Sequence, residues 1–148
     1  MKRFLLFALP LLLVLFALFS LLLELAGFEP ELGPLIGWRA GSYGLPGGWV
    51  LATWALESLA LAALYLLVER PTAPRFSTGV LVGWIAWVFR GPLLVITAVG
   101  FGDLPAAPWW RLTLRWFVLY TLAGLLLGGL GTLLRAPAER PGPSLPPG

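Results

Sequence analysis

The sequence has no cysteine, no histidine, no asparagine and no glutamine, and Lys2 is its single lysine. Without His or Cys the chain offers no imidazole to a haem, no thiolate to zinc, no disulfide, and no Ser-His or Cys-His pair for nucleophilic catalysis. No metal site and no cofactor is expected from such a residue set. Charge is also scarce: 11% of the 148 residues are Asp, Glu, Lys or Arg, against about 25% in an ordinary soluble domain. The 59% hydrophobic content and a mean hydropathy of +0.89 exceed what so short a chain can hide from water in a single core. Lipid is therefore the expected solvent, which excludes a soluble enzyme or a nucleic-acid-binding module. The net charge of +3 does not alter this, because the basic residues are scattered near the ends of apolar runs and form no patch. The missing thermolabile amides and the preference for Arg over Lys suggest a thermophile.

Four apolar runs are present, Phe4–Leu25, Gly48–Val68, Gly79–Val99 and Leu112–Leu134. Each is close to the ~20 residues that cross a ~30 Å hydrocarbon layer as a helix. The expected fold is an all-α integral membrane protein, a small bundle of four transmembrane helices over residues 1–135. A Gly/Pro-rich loop follows the first run, and shorter Pro-containing loops follow the next two. Residues 136–148 carry five prolines and no apolar run, which predicts a disordered cytoplasmic tail. The first run follows Lys2 and Arg3, as a signal peptide would, but it is longer than a usual h-region and no A-x-A site follows. It is expected to stay as an anchor, with Pro10 tolerated near its start.

Orientation follows the Lys/Arg bias. With the N-terminus inside, the cytoplasmic ends hold Lys2, Arg3, Arg70, Arg75, Arg135 and Arg140, against Arg39, Arg111 and Arg115 outside. Trp38, Tyr43, Trp49, Trp109 and Trp110 gather at the outer ends as an aromatic belt would. The expected topology is N-in and C-in, in the inner membrane of a bacterial or archaeal cell.

Two charges fall in the middle of apolar runs. Glu57 lies nine residues past Gly48 and eleven before Val68; Arg90 lies eleven past Gly79 and nine before Val99. A lone charge at the bilayer centre costs about 3 kcal/mol on insertion scales, so such groups turn inward and pair. The short connection between the second and third runs makes them antiparallel neighbours, and an intramembrane Glu57–Arg90 ion pair is expected. A Trp precedes each charge by three residues, Trp54 and Trp87, and Trp87 is placed to lie against the guanidinium. Pro92 follows closely and cannot donate to the carbonyl of Val88, which predicts a kink in the third helix.

Small residues mark the packing faces. Gly79 and Gly83 form one G-x-x-x-G, on the side of the third helix that also carries Trp87 and Arg90. Gly124 and Gly128 form a second, which serves packing within the chain or a homodimer seam. Arg115, one turn from Arg111, reads as an anchor at the outer end of the fourth helix, with Glu24 as a partner.

No catalytic constellation stands out. The expected function is that of a small accessory or assembly subunit, with the Glu57–Arg90 pair as a structural pin. The alternative is a small proton-coupled transporter or exporter using Glu57, Arg90 and the Pro92 kink. Expected partners are the lipid bilayer and other membrane proteins or a second copy, with no nucleic acid. A packed bundle with no water-accessible cavity reaching Glu57 would favour the subunit, and a polar cavity open to one side would favour transport.

Overall fold

The computed structural model describes residues 2–26, 47–70, 73–102 and 106–134. The predicted Pro-rich tail lies outside these residues, as do Trp38, Tyr43 and the side chains of Trp49 and Glu24. The described chain is all helical, with α1 (Lys2–Leu25), α2 (Gly47–Val68), α3 (Arg75–Arg90), α4 (Pro92–Gly102) and α5 (Ala106–Leu134). Helices α3 and α4 are two halves of a single span. Four spans of 18 to 27 residues are apolar enough to cross a membrane, about 27–40 Å at ~1.5 Å per residue. The protein is thus a helical membrane protein by the length and composition of its helices.

Side-chain burial divides each helix into an inner and an outer face. On α1 the inward stripe is Phe4, Ala8, Leu12 and Phe16, one residue per turn. It meets α2 where Phe4 stacks on Tyr65 at 5.3 Å, and α5 where Phe16 packs edge-on against Tyr120 at 6.2 Å. Leu61, Ala62, Val82, Leu119, Ala123 and Leu127 complete the core. Large apolar side chains such as Leu6, Leu22, Leu56, Phe89, Leu114 and Leu133 point outward. In water that surface would drive aggregation; against acyl chains it costs nothing to expose.

The most extensive packing is between α3 and α5. The two G-x-x-x-G motifs face each other, antiparallel and in register. A Cβ added to Gly79 would overlap the carbonyl of Gly124 and come within 2.8 Å of the Gly128 nitrogen. One turn along, a Cβ on Gly83 would run into the Tyr120 carbonyl. The backbones approach this closely only because these positions lack side chains. The glycine face of the third span therefore docks on the fourth span, while Arg90 from the same helix reaches Glu57 on the second. Gly124 and Gly128 are consumed by packing within the chain.

The α3–α4 junction departs from a simple kink at Pro92. The helix breaks at Gly91, with φ −98° and ψ −90°, and restarts at Pro92. Proline disfavours helical geometry in the residue before it, and it leaves the Val88 carbonyl without a helical donor. The Gly91 amide still donates to the Trp87 carbonyl at 2.7 Å, and the Val95 amide donates to the Gly91 carbonyl at 2.9 Å.

Helix α5 begins six residues before the Leu112 expected from hydropathy. Its first turn contains Pro108, whose missing amide hydrogen is harmless there because first-turn amides have no helical acceptor. This extension places Arg115 nine residues into the helix, about 13 Å from its start at ~1.5 Å per residue. Arg115 therefore lies in the third turn of α5 and not at its first residues.

Candidate functional site

Three helices deliver polar groups to one level of the bundle. Glu57 comes from the middle of α2, Arg90 from the last turn of α3, and Tyr120 from α5. Arg90 Nε lies 3.2 Å from Glu57 Oε1. The Tyr120 hydroxyl donates to Glu57 Oε2 at 3.3 Å. The carboxylate thus meets a charged donor on one oxygen and a neutral donor on the other. Desolvation is incomplete: the side chain of Glu57 is 22% exposed and that of Arg90 is 43% exposed.

The guanidinium of Arg90 stacks over the ring of Trp116, 5.0 Å from its centroid. Trp116, and not Trp87, is the aromatic partner of the cation. The indole N–H of Trp87 instead donates across the tight α3–α5 contact to the Thr113 carbonyl at 2.9 Å, and its ring packs edge-on against Phe117 at 4.9 Å. A buried indole N–H needs an acceptor, and the close approach permitted by the glycines brings the α5 backbone within its reach. That same approach puts Trp116 beneath Arg90. Trp84 follows a similar pattern one turn earlier, donating to the Thr121 hydroxyl at 3.3 Å.

Two cavities adjoin the cluster. One, of about 300 Å³, lies between α2 and α3 and is almost wholly apolar apart from the cluster itself; Ala60, Leu64, Ala86 and Phe89 line it. The other, of about 100 Å³, lies among α1, α2, α3 and α5 and is more polar. Besides Glu57, Arg90 and Tyr120 it is lined by Arg115, Ser20 and Trp54. Such a volume holds about three waters at ~30 Å³ each.

The structure therefore brings Glu57, Arg90 and Trp54 around one cavity, and directs Trp87 into the α3–α5 seam. Pro92 is next to the helix break, two residues beyond Arg90. Sequence reasoning missed Tyr120, Trp116, Ser20 and the place of Arg115. Arg115, Trp116 and Tyr120 occupy two successive turns of α5, but nothing in one sequence says which side of that helix meets the deep charges. Chemically, the cluster supplies hydrogen-bond donors far more than metal ligands. Glu57 is the one carboxylate lining either cavity among the described residues, and both its oxygens are engaged. Comparison with family models, curated proteins and solved structures finds no match to the chain.

Proposed function

We propose that the chain is a small accessory or assembly subunit of a membrane complex, and that the Glu57–Arg90 pair is a structural pin. The observation that carries this reading is that both oxygens of the Glu57 carboxylate are engaged by groups from two other helices. Glu57 is held by Arg90 and Tyr120, and Arg90 is held by Glu57 and Trp116, so one network ties α2, α3 and α5 together. An ion pair between helices, set among apolar side chains, specifies which helices pair and in what register. The broad apolar outer surface is suited to lipid and to neighbouring membrane helices. A second copy would have to use that outer surface, since the Gly124–Gly128 face is covered by α3. The orientation proposed is N-in and C-in, in the inner membrane.

The polar cavity beside Glu57 and the helix break at Gly91 favour a second reading, a small proton-coupled transporter or exporter. Midplane charges beside interrupted helices are how many transporters build a site. Proteoliposomes decide between the two. On the subunit reading, vesicles containing the purified chain show no proton flux or proton-driven cation exchange above empty vesicles. Flux that Glu57→Gln abolishes would overturn it and establish transport.

A further inference from the structure

Arg90 brings more N–H donors to the polar cavity than the Glu57 carboxylate accepts from it. A guanidinium carries five N–H donors and no acceptor. Arg90 turns its Nε to Glu57, and the other oxygen of that carboxylate is occupied by Tyr120. The Nη groups of Arg90 belong to a side chain that is 43% exposed, and Arg90 lines the cavity. Arg115 lines the same cavity from α5. The α3–α5 register sets the two arginines at nearly one depth, because Gly91 lies against Thr113 and Gly83 against Tyr120. Arg115 has contacts of its own, but the planar fork of a guanidinium can serve a ligand while holding a neighbour. Ser20 adds a hydroxyl, and Trp54 and Trp116 form apolar walls.

We propose that this cavity binds an oxyanion group, a phosphate or carboxylate, between Arg90 and Arg115. The oxygens of such a group accept charge-assisted hydrogen bonds, stronger than those of the waters they displace. Low dielectric strengthens this attraction, and also the repulsion from the Glu57 carboxylate in the same wall, so the anion needs both arginines. The group can belong to a soluble anion or to the head of an anionic lipid; the recognising chemistry is the same. The inference goes beyond both functional readings, since binding and flux are separate measurements: a pinned, non-transporting subunit can hold the anion, and so can a transporter.

The test uses the full chain in a neutral maltoside detergent, with thermal unfolding followed by far-UV circular dichroism. In one arm inorganic phosphate replaces chloride at constant ionic strength. In the other, phosphatidylglycerol replaces phosphatidylcholine in the mixed micelle. Saturable stabilisation is expected in one arm or both, reaching roughly 5–10 °C at about a hundred times the dissociation constant. A response to phosphate identifies a site for soluble anions, and a response to phosphatidylglycerol without phosphate identifies a lipid site. Arg115→Gln removes the shift, whereas Arg111→Gln, outside the cavity, keeps it. If Arg115→Gln does not fold, Ser20→Leu serves instead, because it fills the cavity while leaving both arginines, and it too must remove the shift. No stabilisation in either arm, or a shift that survives these cavity substitutions, would overturn the proposal.

Discussion

Replacing Glu57 with leucine removes the acceptor for both Arg90 and Tyr120 and leaves a guanidinium at mid-depth over Trp116. Losing one member of a buried pair costs about 3–5 kcal/mol. Neutral hydrogen bonds between membrane helices average only about 0.6 kcal/mol, with a ceiling near 1.7. The 22% and 43% exposure of the two side chains argues for the low end of the ion-pair range, about 3 kcal/mol for Glu57→Leu. Arg90→Leu should cost less, about 2 kcal/mol, because an orphaned carboxyl can take up a proton while a guanidinium cannot lose one. The double replacement leaves no charge behind. It should fall short of the sum of the singles by at least ~1 kcal/mol, well outside the ~0.3–0.5 kcal/mol within which independent sites add. Reversible unfolding in mixed micelles, followed by far-UV circular dichroism, measures all four corners of the cycle. Additive costs, or Arg90→Leu proving the more damaging single change, would refute the reasoning.

Gly79→Ala and Gly124→Ala each drive a methyl into the opposing backbone and should destabilise by about 1–3 kcal/mol; Gly100→Ala has open space and should be neutral or stabilising by up to ~1 kcal/mol in the same unfolding assay. Trp87→Phe loses the 2.9 Å bond to the Thr113 carbonyl and should cost about 1 kcal/mol. Trp116→Leu removes the cation–π contact to Arg90 and about 0.5–2 kcal/mol with it; with Glu57 and Arg90 both already replaced by leucine, that loss should shrink measurably. For topology, cytoplasmic reporters fused at Gly148 should be active and periplasmic reporters inserted between residues 26 and 47 should be active; the opposite pattern would reverse the orientation.

The helical membrane character, the approximate spans and the two deep charges are legible in the sequence because lipid imposes one-dimensional rules. A span must be long and apolar, and a charge within it stands out against its neighbours. Boundaries follow less well. Pro105 and Pro108 resembled loop residues, yet α5 begins at Ala106, since proline is tolerated in a first turn. Nor does the sequence show that Arg115, read as an anchor, lines a cavity beside Glu57 and Arg90. The same limit applies to partners. Helical periodicity places Gly79, Gly83, Trp87 and Arg90 on one face, and the connection after α2 brings Glu57 near. Only the packed bundle decides that the glycines meet α5, that Trp87 turns into that seam, and that Trp116 and Tyr120 complete the charge cluster. A sequence states what each face of a helix carries. Which faces meet depends on shape complementarity among all four spans at once, and that exists only after they pack.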